Sequence, residues 1–424
     1  MAVGALRDIL GDDELSQPRE PSILIFGTCD TKLAPLLRLR SLLAANRRVF
    51  LADVGRTPTI HASIDIPHSS IVPSSTELAS LPRNDLITTM STHLVALLTQ
   101  LYTAGSINAA ISLGGSCGTT LAATAMRAAL PIGFPKLIVT TMASGDVSPY
   151  VGDSDITLMP SIVDIAGENH ILTQILSNAA GCIGGMAVAA AAHGVPRAEK
   201  RVVAISMFGI TTPAVSAAQQ LLEEKDYEVV ILHATGSGGR VLERLIREGR
   251  VHGVLDITTT EIADLLCGGV LSAGPERLTA AAREGVPQIV SVGATDCINF
   301  GPRETLPERY RGRTVLEHNP TVTVVRTNVE ECRQIGKHIG ETLRRCGVGK
   351  RMEVWCPGRG VSTISEEGGP FCDFEADKAL VEELEKSLGG VAFRHFPEVA
   401  LNDEKWAREM ATRLLEMMGS SQSA

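Results

Sequence analysis

Glycines and small hydroxyl residues end an apolar run at Gly114, Gly115, Ser116, Gly118 and Thr119, within the stretch ISLGGSCGTTLAATAM from Ile111 to Met126. An alanine-rich helix is predicted to begin there. The first N–H groups of a helix have no intrahelical acceptor and lie at the positive end of its dipole, so they attract anions. The chemistry such a turn offers is capture of a phosphate; the bland alternative is a tightly packed turn. Cys117 lies in the same turn, where a helix start favours the thiolate, yet no His or Asn stands close in sequence to serve it as a nucleophile.

A second glycine turn, GTCDTK, follows the first apolar run and contains Gly27, Thr28, Asp30 and Lys32. It either cradles phosphate with Lys32 as a point charge, or is a plain βα turn with Lys32 in solvent. Neither GxxxxGK[ST] nor GxGxxG is present. Asp53, just before Gly55 in LADVG, closes the next strand 26 residues after Gly27. An acid in that position accepts ribose hydroxyls in dinucleotide folds, or merely caps its turn. The long polar segment TMASGDVSPYVGDSDITLMPSIVDIAGENH then brings Ser144, Gly145, Asp146, Tyr150, Asp153, Asp155, Asp164, Glu168, Asn169 and His170. It is expected at the carboxyl edge of a parallel sheet, where an acid between residues 146 and 155 would hold Mg2+ beside phosphates. Alternatively these acids cap turns in a lid or dimer loop.

The second half repeats the grammar in MFGITTP, HATGSGGR, LDITTTEIAD and GATDCINFGP. Each sits where a strand ends, so His233, Gly236, Ser237, Gly238, Gly239, Arg240, Asp256, Thr258, Glu261, Asp296 and Asn299 are expected along one crevice. Arg240 and Asp256 are the candidate catalytic pair. No Ser-His-Asp order and no metal-ligand spacing stands out.

The elements that must position these residues follow from the pattern of apolar runs. Each run ends in Gly or Asp and is followed by helical periodicity, as in SILIFGTCDTK with LAPLLRLRSLLAA and in RVVAISMFGITTP with AVSAAQQLLEEK. Strands alternating with helices predict βαβ units, mainly parallel sheets and right-handed crossovers. The expected architecture is α/β, with two Rossmann-like domains and an interdomain crevice. A chain of 424 residues is too long for one ordinary core. The predicted division is a loose tail over 1–20, a nucleotide-binding domain over 21–198, a second α/β domain over 199–418 and a disordered tail over 419–424.

The formal charge of -9 argues against nucleic acid as a main partner, because phosphate backbones want a basic face. Nine scattered cysteines without a CxxC pair read as reduced thiols of a cytosolic protein. No secretory leader and no run of membrane length is read from the sequence.

Taken in order, GTCDTK, DVG, GGSCGTT, GDSDITLMPSIVDIAGENH, MFGITTP, HATGSGGR, LDITTTEIAD, VLSAGPERL, NFGP, HNPTVTVVRT and EEGGPFCDFEADKAL resemble the Tm-one family over about residues 20 to 415. That family comprises the ATP-binding domain of the tomato mosaic virus resistance protein and many uncharacterised bacterial and fungal relatives. The sequence differs locally at His170, Val292 and Thr295. The resemblance implies two Rossmann-like domains, ATP or a related nucleotide in the N-terminal one, and a homodimer. It also implies that the plant member blocks viral RNA replication by binding a viral protein, a surface property not expected to transfer.

The leading expectation is a cytoplasmic nucleotide-binding protein, acting as an enzyme on a small carboxylate or phosphorylated metabolite, with Mg2+ if phosphoryl transfer occurs. The competing expectation is a nucleotide-dependent binding protein without catalysis. An NAD-dependent oxidoreductase is disfavoured by the missing GxGxxG.

Overall fold

The computed structural model describes residues 20–44, 47–74, 76–167, 169–193, 199–347 and 351–419. The predicted tails, apart from Glu20 and Gly419, lie outside the described residues, as do Glu168 and most of the expected boundary at HGVPRAEK. The chain divides into two compact units, residues 1–197 and 198–424.

The first unit is built on a five-stranded parallel sheet in the order β2-β1-β3-β4-β5. Its strands are β1 (Ser22–Gly27), β2 (Arg48–Asp53), β3 (Ala109–Gly114), β4 (Lys136–Thr140) and β5 (Thr157–Pro160). Its helices are α1 (Cys29–Leu43), α2 (His68–Ile71), α3 (Arg83–Thr103), α4 (Ser116–Ala129), α5 (Ser148–Val151) and α6 (His170–His193). Strand side chains alternate between faces. Leu24 and Phe26 therefore join a core with Met90, Leu94 and Leu98 of α3 and Leu121 of α4. Ile23 and Ile25 join a second core with Leu36 and Leu39 of α1 and Leu172, Leu176 and Ile183 of α6. A sheet covered on both faces explains the nearly continuous apolar runs. Because the chain winds one way from β1 to β2 and the other way from β3 onward, the loops part at the carboxyl ends of β1 and β3. Such a switch point is where open α/β sheets form a crevice.

One expectation needs correction. The segment His170–Ala192 is long and apolar enough to cross a membrane, the one such helix among the described residues. It belongs to α6, whose Leu172, Leu176, Ala179, Ile183 and Ala187 are buried in the second core.

The second unit carries a six-stranded parallel sheet in the order β14-β13-β9-β8-β6-β7. Its strands are β6 (Val202–Met207), β7 (Glu228–His233), β8 (Gly253–Thr258), β9 (Gln288–Gly293), β13 (Met352–Pro357) and β14 (Ala392–Phe396). The helices are α7 (Thr212–Glu224), α8 (Ser237–Arg247), α9 (Thr260–Cys267), α10 (Ala280–Glu284), α11 (Val329–Gly347), α12 (Phe374–Leu388) and α13 (Glu404–Gly419). A three-stranded antiparallel sheet of β10 (Cys297–Phe300), β11 (Val315–Asn319) and β12 (Val322–Arg326) is added at the carboxyl side of β9. Residues 294–296 separate β9 from β10, with Ala294 at φ 56° reversing the chain.

Candidate functional site

A cavity bordered by glycine turns lies at the switch point of the first unit. Gly115 precedes α4 with φ -78° and ψ -161°, an extended backbone. The amides of Ser116, Cys117 and Gly118 are the first three of the helix and have no intrahelical acceptor; the Thr119 N–H is the first to reach back, to Gly115 O at 2.8 Å. Gly114 is required by close approach, since a Cβ there would stand 2.9 Å from the Cα of Gly118. Gly115 is different, because a Cβ there would meet only Thr141 Oγ1, at 3.8 Å. Thr119 is turned inward and is fully buried, its hydroxyl 2.6 Å from that of Thr140. The predicted phosphate contact through Thr119 is therefore replaced by a bond between α4 and β4.

Cys117, Gly118 and Leu121 of α4 form one wall of a cavity of about 430 Å³. Thr28, Asp30 and Thr31 at the start of α1 form another, Val54 and Arg56 after β2 a third, and Arg83, Leu86, Ile87 and Met90 of α3 the last. Apolar side chains dominate one side and polar groups the other, within the size range of small-molecule sites.

The structure redistributes the roles expected here. Asp53 is fully buried, and its carboxylate accepts the N–H groups of Cys29 at 3.3 Å, Gly55 at 2.9 Å and Thr59 at 2.8 Å. It organises the loop after β2 and is closed to a ribose. Lys32 donates from Nζ to the carbonyl of Ile165 at 2.7 Å, tying α1 to the loop after β5 rather than standing over a phosphate. Gly27 packs against Leu36. Asp30 lines the cavity, and its Oδ2 accepts the N–H of Arg56 at 2.9 Å and of Thr57 at 3.3 Å.

The cations beside the cavity are Arg56 and Arg83, which sequence reasoning missed. Arg56 is held by the carbonyls of Ala79 and Leu81, both at 3.1 Å. Arg83 opens α3 just after Pro82 and is exposed. A usable signal existed: the loop after β2 falls at the carboxyl edge by construction, and Leu86, Met90, Leu94, Leu97, Leu98 and Leu101 carry helical spacing.

The acidic segment does not gather. Asp146 is exposed, and hydrogen bonding from the Ser148 hydroxyl and then from its N–H, at 2.9 Å, holds its carboxyl below the usual range. Asp155 precedes β5 and pairs with Lys136 at the start of β4, at 2.6 Å, so it stands at the amino edge of the sheet. Asn169 caps α6 through the N–H of Leu172 at 2.8 Å, and His170 is exposed. Ser144 and Asp164 line a separate cavity of about 460 Å³ at the carboxyl ends of β4 and β5, with Gly145 exposed beside it. Among the described residues no three of His, Cys, Asp and Glu come together as a metal site.

In the second unit the expected crevice residues are mostly locked inside. Arg277 is almost wholly buried and reaches Asp256 at 2.6 and 2.5 Å, Glu261 at 2.8 Å and Glu243 at 3.4 Å. Burial alone would pull its guanidinium down, and the three carboxylates more than reverse that. Asp256 also accepts from Ser206 Oγ at 2.7 Å and Gln288 Nε2 at 3.0 Å. It is a buried structural hub, which corrects its expected catalytic role. Glu261 accepts the N–H groups of Gly236 at 2.7 Å and Gly239 at 2.9 Å. The glycine turn that opens α8 is thus occupied by the chain's own carboxylate.

Thr258 is buried with its hydroxyl 2.8 Å from that of Thr211. Asn299 donates from its backbone to Asp264 at 2.8 Å, and Asp296 accepts from Ser362 Oγ at 2.7 Å, both residues being fully buried. Gly238 packs on the carbonyl of His233. Among the expected group, His233, Ser237 and Arg240 are exposed. His233 stacks on Phe208 at 5.4 Å, and Arg240 donates to Ser272 O at 3.0 Å.

Comparison with known proteins agrees with this two-unit organisation. Residues 21–192 match the N-terminal domain of the uncharacterised protein family UPF0261, and residues 200–418 match its C-terminal domain. A UPF0261 protein of Clostridium tetani is 42% identical over 403 residues, covering 93% of this chain and 98% of the relative. The ToMV susceptible protein tm-1(GCR26) of Solanum lycopersicum is 37% identical over 346 residues, covering 80% of this chain and 45% of the tomato protein. The ToMV resistance protein Tm-1(GCR237) of the same plant is 39% identical over 318 residues, covering 73% of this chain and 42% of that protein. Among solved structures, UDP-N-acetylglucosamine 2-epimerase from Rickettsia bellii matches at 10% identity with a TM-score of 0.22, covering 64% of this chain and 79% of the epimerase, too slight a likeness to argue from. With both halves matched in order, the chain belongs to the UPF0261 family, alongside the tomato Tm-1 proteins.

Proposed function

We propose that the first unit binds a nucleotide, with ATP as the reference ligand, in the cavity at the β1/β3 switch point. One observation carries this reading: the open N-terminus of α4 forms a wall of a cavity of about 430 Å³ whose facing side is apolar. The amides of Ser116, Cys117 and Gly118 suit phosphate oxygens, and the guanidinium of Arg83 adds charge and a planar donor fork. Leu86, Ile87, Met90 and Leu121 offer an apolar slot for a base. Mg2+ would enter with the phosphates, which together with water supply most of its ligands in such sites.

A second reading, nucleotide-dependent association without turnover, is favoured by the burial of Asp256 under Arg277. Dimerisation is proposed under either reading, and light scattering on the purified protein checks it.

The test is thermal denaturation with ATP, ADP, GTP and NAD, each with and without Mg2+, together with phosphate release. A ligand that binds only the native state at a hundredfold excess over Kd stabilises it by about 2.7 kcal/mol, a readily measured shift. The expected result is a shift with ATP in the native sequence and a smaller one in Gly115→Val, whose backbone suits any residue and whose side chain adds bulk next to the first amide of α4. No shift with any nucleotide defeats the proposal.

A further inference from the structure

We infer that Asp30 reads the sugar of the bound nucleotide, accepting hydrogen bonds from the ribose hydroxyls and selecting ribose over deoxyribose. The inference rests on the nucleotide reading above and deepens it.

Of the two acids at the ends of β1 and β2, Asp30 lines the cavity and Asp53 does not. Asp53 is buried and has three backbone donors. Asp30 is exposed into the cavity and uses Oδ2 for the N–H groups of Arg56 and Thr57. Its Oδ1 lies over Gly55, where a Cβ would come within 2.7 Å, so the glycine leaves room for that oxygen. An ionised carboxylate only accepts, so its occupant must donate.

The walls decide which part of a nucleotide that is. The α4 amides and Arg83 suit the phosphates, and a carboxylate beside a phosphate would repel it. The apolar slot between α3 and α4 suits the base. The sugar joins these two parts in every nucleotide, and with the base in the apolar slot its hydroxyls are the donors offered to Asp30. The same charge would reject a 2′-phosphorylated ribose.

Calorimetric titration with ATP and with 2′-deoxy-ATP tests this on the unmodified protein. Hydrogen bonds to a charged group correspond to roughly a 10-fold or greater preference for ATP. In Asp30→Asn, which keeps an acceptor for Arg56 and Thr57, the preference should shrink severalfold; in Asp30→Ala it should vanish. Circular dichroism confirms that each variant is folded. Equal binding of the two nucleotides by the unmodified protein, or a preference undiminished in folded Asp30→Ala, overturns the role of Asp30 while leaving the nucleotide site standing. Failure of both nucleotides to bind overturns the site and this role together.

Discussion

Glu261 accepts the backbone N–H of Gly239 at 2.9 Å, and a Cβ at Gly239 would stand 2.1 Å from that carboxylate. The N-terminus of α8 is closed from inside by a charge belonging to the fold, whereas the N-terminus of α4 opens on a cavity. Two similar glycine turns therefore do different work. Gly239→Ala is expected to destabilise the second unit by about 1–3 kcal/mol through overpacking. Urea denaturation checks it, and an unchanged midpoint would contradict the contact.

Arg277 serves three carboxylates that have no other cation at comparable distance among the described residues. Breaking a buried pair typically costs about 3–5 kcal/mol, because the remaining charge stays buried. Arg277→Met should unfold the second unit or prevent its accumulation. Arg277→Lys should recover little, since one ammonium cannot reproduce the guanidinium fork. Soluble yield and circular dichroism decide. A folded Arg277→Met protein would show that the hub is dispensable.

Two carboxyls make stability depend on pH. Burial pushes Asp264 and Asp377 up to about 7 in the folded protein, against about 3.9 when unfolded. The folded chain holds protons that the unfolded chain has released, so this stabilisation is complete below about pH 4 and is lost as pH rises to about 7. Burial also raises Glu243 and Asp296, in the same direction. His338, lowered by burial, opposes the trend below its ordinary value. Tm should fall between pH 5 and 7.5, and Asp377→Asn, which removes one titrating group beside Arg326, should flatten the slope. A Tm that rises over this range, or a slope untouched by the variant, would refute it.

Neighbouring glycines should separate fold from binding. Gly114→Ala forces a Cβ against the backbone of Gly118 and should cost about 1–3 kcal/mol. Gly115→Val faces open space and should leave Tm within about a degree or two without ligand, because surface changes away from special features are usually small. Paired melting curves without nucleotide check the contrast.

Much of this architecture was legible because buried parallel strands write long apolar runs, and the turns that end them carry Gly, Asp and Thr. SILIFG and AAISLG became β1 and β3, and GGSCGTT opened α4 as its glycines required. What sequence could not give was direction. Asp53 and Asp30 are both acids at strand-end turns, yet one points into the protein and the other into the cavity. Lys32 looked like a phosphate ligand from spacing alone, but its partner lies 133 residues away. Arg277, inside VLSAGPERL, showed no local sign of its role because its partners come from α8, β8 and α9. Arg83 was hidden by attention to glycine turns, although it begins a helix whose apolar spacing is regular.

The bond from Lys32 to Ile165 also orders events during synthesis. The turn after β1 leaves the ribosome early, but the carbonyl that fastens it belongs to the loop after β5. At about 5–20 residues per second, some seconds separate the two. A nascent chain ending near Ala129 already contains the glycine turns that follow β1 and β3. It lacks β4, β5 and the anchor that secures α1, so the pocket reaches its finished form only when the last strand of its sheet has been made.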